Sequence, residues 1–399
     1  MFQDSWSPTD HIAWKTAIPG RGHSSPVVWD DHIFLTTSVR GEHFPGRTAP
    51  DHPNFDGTPG YLHPDATAVD YAHTLSVLAV DAVTGAVLWN TPVHRGQVYD
   101  NRHRKNTYAS ATVTTDGELV YASFESEGLY ALDFDGNIVW RASFGGRFKA
   151  GLGPGTSPLL YEDILIWQSD QEMGDGSFIT GLDKRTGRVM WMSFRQNRRS
   201  WATPLLVDAS GRTELIASGA EAVIAYDPAT GTELWRTQGT RSHPIPSIVA
   251  GHGLVFATAG SQRKYALGIR PGSGGEVDGT RLVWEYNKGA AYVPSPIFYG
   301  DYLYLMTDSG IMTALDPATG NLVYEGGRVP VPATFTASPV AFDGKILLTS
   351  EDGETFVIKA GPEHEVLGTN SVGEPVFASP ALVDGTIYIR GDQHLFAIR

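Results

Sequence analysis

Cationic and aromatic residues gather at five places along the chain, each just ahead of a short apolar run. These are Arg21 with His23; Arg102, His103, Arg104 and Lys105 with Asn106 and Tyr108; Arg147 with Lys149; Arg198, Arg199 and Trp201; and Arg241 with His243. Tyr292, Phe335 and Phe377 hold the corresponding places further on. A guanidinium is a planar fork that matches carboxylate, sulfate or phosphate, and aromatic faces beside it stack on a sugar ring or base. Convergent cations in a concave site also focus a positive potential that attracts anions. The set Arg21, His23, His103, Arg104, Lys105, Tyr108, Lys149, Arg199, Trp201, His243 and Tyr292 therefore predicts a site for an anionic small molecule, such as an acidic saccharide, or for a protein partner. Were that site catalytic, an arginine or a metal would neutralise a uronate carboxylate. His103, Tyr108 or His243 would then move the proton of a β-elimination, making the chain a polysaccharide lyase. A hydrolase would instead pair two carboxylates, for which Glu125 and Glu172 are the candidates. The opposite outcome is a closed network of ion pairs with Glu125, Asp170, Glu172, Glu221, Asp308, Glu351 and Asp392, which fall in the intervening turns.

A second group of chemically competent residues lies in one polar stretch. His43, His52, His63 and His73 alternate there with Asp51, Asp56, Asp65 and Asp70, a mixture of imidazole and carboxylate that suits a divalent transition metal. Their spacing matches no compact metal motif. Other chemistries are excluded outright. The 399 residues contain no cysteine, which removes disulfides, thiolate metal sites and cysteine nucleophiles, and no Gly-x-Ser-x-Gly elbow occurs. A net charge of −14 argues against a nucleic-acid partner, which needs a basic footprint. No apolar run reaches the roughly 18 residues of a membrane span. No basic-plus-apolar leader opens the sequence, and a periplasmic or extracellular protein that has lost its leader is the expected setting.

The elements that must position these residues are set by a repeated phrase: a small residue, an aspartate, Thr-Gly, then an aromatic. It reads Ala79, Asp81, Thr84-Gly85, Trp89; then Asp183, Thr186-Gly187, Trp191; Ala225, Asp227, Thr230-Gly231, Trp235; and Ala314, Asp316, Thr319-Gly320, Tyr324, with a shorter copy at Ala131, Asp133, Asp135-Gly136, Trp140. The aspartates are 52, 50, 44 and 89 residues apart, and the last step is two periods of about 44. A period in the forties with strand-like runs on both sides predicts a β-propeller. A second marker opens each unit: Ser25-Pro26, Ser110-Ala111, Ser157-Pro158, Thr203-Pro204, Pro246-Ser247, Ser295-Pro296, Ser338-Pro339 and Ser379-Pro380. The expectation is an all-β, eight-bladed propeller of four-stranded antiparallel blades in a single domain over 1–399. A strand near Ile12–Thr16 completes the last blade and closes the ring. Two units are irregular: the first carries a long insertion at about 40–73, and the fifth a glycine-rich segment at 270–275 that resembles a phosphate loop in composition alone.

The pattern Ala-x-Asp-x-x-Thr-Gly-x-x-x-Trp resembles the tryptophan-docking motif of the pyrroloquinoline-quinone (PQQ)-like propeller superfamily, and the resemblance covers essentially the whole chain. The segments 18–26 and 359–363 are similar to its secreted bacterial members of unassigned function. The resemblance implies the eight-bladed fold. It also brings two activities: PQQ- and calcium-dependent alcohol dehydrogenation, and a scaffold role in outer-membrane protein assembly that needs no cofactor. The dehydrogenases hold the quinone beneath a disulfide of adjacent cysteines, which this chain lacks, and their calcium-ligand and catalytic-aspartate segments have no clear match here.

Overall fold

The computed structural model describes residues 2–45, 63–67, 69–144, 152–153, 155–261, 263–272 and 281–399. They form eight four-stranded sheets, the antiparallel blades of an eight-bladed β-propeller, plus one two-stranded ribbon. Two compact units share the blades. Thr16–Arg199 holds blades 1 to 3, and Met1–Lys15 with Ser200–Arg399 holds blades 4 to 8. Blade 1 runs Val27–Trp29, His32–His43, Tyr71–Asp81 and Val87–Gln97; blade 2 runs Thr114–Thr115, Leu119–Ser123, Leu129–Asp133 and Ile138–Ala142. Ile12–Ala17 lies beside His394–Ile398 in the sheet of blade 8, so the early strand completes the last blade as expected. Removing residues 1–17 would bare that edge and also withdraw the buried Trp6, whose backbone N–H donates to Asn370 Oδ1 at 2.9 Å. The expected result is a lower thermal transition, by about 3 kcal/mol or more for the tryptophan alone. An unchanged melting curve would refute the closing role.

The repeated phrase is local turn chemistry followed by packing. Asp81 Oδ1 accepts from the N–H groups of Val83 and Thr84 and from the Thr84 hydroxyl, at 2.7–3.0 Å; Asp183 and Asp316 repeat the arrangement. These bonds, led by those from Thr84, hold the Asp81 carboxyl below the usual carboxylate range. The small residue that opens the phrase sits opposite the aromatic across the ladder: Ala79 faces Trp89, Ala131 Trp140, Gly181 Trp191 and Ala225 Trp235. A one-residue bulge follows at once in each, turning the outer strand. The indole then reaches the next blade, where Trp89 Nε1 donates to the Phe134 carbonyl, Trp140 to Lys184 and Trp284 to Pro317. It rests on the turn glycine there. A Cβ on Gly187, at φ +70°, would stand 2.5 Å from the Trp140 ring.

The opening serines are also joints. Ser25 N–H donates to Thr112 Oγ1 and Thr112 N–H to Ser157 Oγ. In the other unit, Ser247, Ser295 and Ser338 N–H donate in turn to the hydroxyls of Ser295, Ser338 and Ser379. Each hydroxyl satisfies a backbone donor of the preceding blade that would otherwise be buried unpaired.

Candidate functional site

Blade 1 differs from the others in length. Its second, third and fourth strands have 12, 11 and 11 residues, against 6 in each of the equivalent strands of blade 3. The additional length lifts Arg40, His43, Tyr71 and His73 beyond the part common to all blades. Arg40 pairs with His73 across the ladder and His43 with Tyr71. The Arg40 guanidinium lies 3.3 Å over the Tyr71 ring, and His43 stacks on that ring at 4.4 Å while its Nε2 meets Asp70 Oδ2 at 3.2 Å.

His73 is buried, with Nδ1 at 2.8 Å from Ser38 Oγ. Burial, followed by the charges of Arg102, Arg40 and His94, pushes its pKa down to about 4, so it is neutral at physiological pH. Arg21 joins the same strand through paired backbone bonds to Ser38. The returning leg of the insertion docks on the basic loop: Ala66 and Thr67 pair with His103 and Arg102, and Asp65 binds Arg104 through both backbone and side chain.

Within that loop the cations take different roles. Arg102 is half-buried, donates to the carbonyls of His103 and Asn106, and lies 5.4 Å over the Tyr108 ring. Tyr108 meets the edge of His73 at 4.7 Å and donates its hydroxyl to the Asp100 carbonyl. Burial first, and then the charges of Arg21 and Arg40, hold the Arg102 pKa below the usual value. His103 Nδ1 accepts from Lys105 N–H, and burial lowers its pKa. The outer guanidinium of Arg104 is closed by Asp65 at 3.1 Å.

The remaining candidates have partners of their own. His23 N–H donates to the Ala109 carbonyl, and Arg199 is held by Glu172 at 2.6 Å. Arg195, which sequence reasoning passed over, forms a fully buried pair with Asp170. In the second unit, Trp201 N–H donates to the Pro244 carbonyl, and His243 is half-buried. The Tyr292 and Val293 N–H groups converge on the Asp308 carboxylate. Lys149 and Arg147 lie outside the described residues, as does His52.

Of the four histidines weighed for a metal, His43 and His73 occupy one ladder with separate partners, and His63 Nδ1 accepts from Asp65 N–H. Among the described residues no three histidine or carboxylate groups stand close enough to hold a metal. The glycine-rich segment does present a backbone N–H to an anion, but an internal one: Gly272 donates to the buried carboxylate of Glu214. Arg40 was missed in the sequence because nothing there separates an extended strand from the loop that follows it.

The comparisons agree with the architecture. Residues 73–324 match the family model PQQ_2, described as outer membrane protein assembly factor BamB. The outer membrane protein assembly factor BamB of Burkholderia pseudomallei is 25% identical over 344 residues, 78% of each chain. The crystal structure of BamB from Moraxella catarrhalis superposes with a TM-score of 0.63 at 14% identity, covering 96% of this chain and 97% of that one. A quinohemoprotein alcohol dehydrogenase from Pseudomonas putida HK5 gives 0.60 at 14%, with 97% and 75% covered, which shows a shared fold alone. Among the described residues no helix is long and apolar enough to cross a membrane. The small-Asp-Thr-Gly-aromatic phrase, the blades it builds and the matched span place the chain in the PQQ-like propeller family whose model is that of the outer membrane protein assembly factor BamB.

Proposed function

We propose that this chain is a periplasmic or secreted scaffold that docks an acidic segment of a protein partner on the extended end of blade 1. The observation that carries the reading is the grouping of Arg21, Arg40 and Arg102: Arg21 bonds to Ser38 on the long strand, Arg40 faces His73 across the ladder, and Arg102 lies over Tyr108, whose ring meets His73. Arg40 stands over the Tyr71 ring, a contact that holds the fork in place, and a carboxylate is the group such a fork binds in bidentate fashion. The relatives supply the class of occupant, since they are named for protein assembly. Arg104 and Arg199, closed by Asp65 and Glu172, act in this reading as internal struts.

The test is retention of the full chain on immobilised polyglutamate across a salt gradient. Arg40→Glu is expected to weaken binding on the order of tenfold and to elute at lower salt, because a rim charge contributes chiefly through its field. Arg104→Glu should shift elution less, since its charge is already compensated. Elution of Arg40→Glu with the unaltered chain would overturn the site. Retention on polygalacturonate and none on polyglutamate of matched charge would move the ligand from an acidic peptide to an acidic saccharide.

A further inference from the structure

The second unit carries a cationic group of its own, where two segments of the chain meet. One is 239–243, which leaves the outer strand Glu233–Gln238; the other is the turn between Leu254–Ala259 and Tyr265–Ile269. Ser242 Oγ and Ser261 Oγ lie 2.6 Å apart and tie the two together. Thr240 N–H donates to the Gly219 carbonyl and Arg241 N–H to that of Ala220, and a Cβ on Gly239 would stand 2.4 Å from the Gly219 oxygen. Pressed against that turn, Arg241 takes φ +55°, a left-handed conformation that costs a residue with a side chain. Of the nine described non-glycine residues at positive φ, six sit in the tight turn between the first and second strands of a blade; Arg241 does not. Its guanidinium is thus aimed by a fixed and strained backbone.

It is aimed at Tyr265. The ring of Tyr265 is buried, 5% exposed, with the Arg241 guanidinium 5.6 Å from its centroid. The hydroxyl at its end is bonded by Arg263 and by Arg241, both exposed side chains. A guanidinium has donors only, so the phenol oxygen accepts from both and its own proton points away from them. Arg241 also donates to Gln238 Oε1 at 2.9 Å and meets Glu285 Oε1 at 3.6 Å, and Gln238 donates to Glu285 Oε2 at 3.1 Å. Glu285 therefore offsets one arginine. Arg263 answers to the neutral phenol, and the exposed Lys264 follows it in the turn.

Converging donors of this kind call for an acceptor with oxygens in more than one direction. A carboxylate has two oxygens in one plane, which a single fork fills. A phosphoryl group spreads its oxygens over a tetrahedron and accepts from both forks and from the phenol together.

We infer that Arg241, Arg263 and the Tyr265 hydroxyl form a site for a phosphate monoester, carried either by a small soluble molecule or by a lipid headgroup. The full chain would be titrated with glycerol phosphate by calorimetry. In parallel it would be sedimented with phosphatidylcholine vesicles, with and without phosphatidic acid, which bears the same monoester. One equivalent is expected to bind. Arg263→Gln and Arg241→Gln should each weaken binding at least tenfold, and Tyr265→Phe about fivefold, the loss of one hydrogen bond. Should Arg241→Gln fold poorly, Arg263→Gln, in an exposed turn, carries the same comparison. Arg40→Glu, in the other unit, should leave the affinity unchanged, which separates this site from the docking surface proposed above.

Phenolate absorbance gives a second readout. Arg263, and then Arg241, hold the Tyr265 phenol below its usual range, so one tyrosine missing from Tyr265→Phe should ionise early as the pH is raised. A bound phosphate opposes the phenolate charge and should delay that step. Sedimentation with phosphatidic acid that is lost in Arg263→Gln assigns the headgroup as the source, whereas glycerol phosphate binding without sedimentation assigns a soluble ester. Binding to neither, or binding that survives both Arg263→Gln and Tyr265→Phe, would overturn the site.

Discussion

Trp140→Ala is expected to cost about 3–5 kcal/mol of stability, the range for emptying a large buried aromatic site. The side chain is 8% exposed and is held by contacts that differ in kind. Its indole N–H donates to the Lys184 carbonyl of the next blade at 2.8 Å. Its ring covers the Gly187 turn and packs with Tyr121 and Leu165 in one cluster. Alanine removes both terms and leaves the Lys184 carbonyl to find a new donor. Trp140→Phe separates them: most of the apolar surface stays, the bond goes, and the loss should fall to about 1–2 kcal/mol. Urea unfolding of the two variants checks the pair. Equal losses would mean that the carbonyl bond, not the packing, joins the blades. A loss below about 1 kcal/mol for alanine would remove the docking tryptophan from its assigned role.

Glu214→Ala is expected to be as damaging, for an electrostatic reason. The carboxylate is completely buried, and four donors point at it. Arg212 gives two, from Nε and Nη2 at 2.9 and 2.7 Å, Trp235 Nε1 gives a third at 2.8 Å and Gly272 N–H a fourth at 3.0 Å. Arg281 seals the arrangement, lying 4.7 Å over the Trp235 ring while donating to the Gly272 carbonyl at 2.9 Å. Removing one member of such a buried pair strands the others, at about 3–5 kcal/mol. Arg212→Ala should cost far less, about 1 kcal/mol, because that side chain is 40% exposed and water replaces it. The asymmetry is the diagnostic result in thermal or urea unfolding. Equal effects from the two partners would show that the pair, and not the carboxylate's other donors, carries the stability.

The same carboxylate explains a misleading feature of the sequence. A glycine-rich run at 270–275 has the composition of a phosphate loop, and Gly272 does offer its N–H to an anion. The anion is a side chain 58 residues earlier in the chain. Composition reports that backbone donors are accessible; it is silent on what already occupies them.

Much of the fold was legible because its determinants are local. The aspartate of the phrase binds amides a few residues on, two and three at Asp81 and Asp183 and two and four at Asp133, and the small residue faces the aromatic of its own hairpin, so a window of about eleven residues encodes the turn. The serines of the second marker were legible as punctuation only. Their bonds to the preceding blade span 41 to 48 residues in examples such as Ser338 to Ser379 and Ser247 to Ser295, beyond any local reading.

The basic loops divide in the same way. Their residue types fixed a capacity to hold anions, but the partner of each cation depends on distant chain segments. Arg104 is answered by Asp65, 39 residues away on the returning insertion, and Arg199 by Glu172, while Arg40 gains its place from a strand that runs longer than its counterparts. Asn101 and Glu125 belong to different blades' connections and meet at one recess through folding alone. Sequence determined the blade count, the turn chemistry and the docking aromatics, because those forces act within a hairpin. Only the tertiary structure decided which charges are neutralised and by which partners, because burial and pairing are set by groups that the chain brings together from far apart.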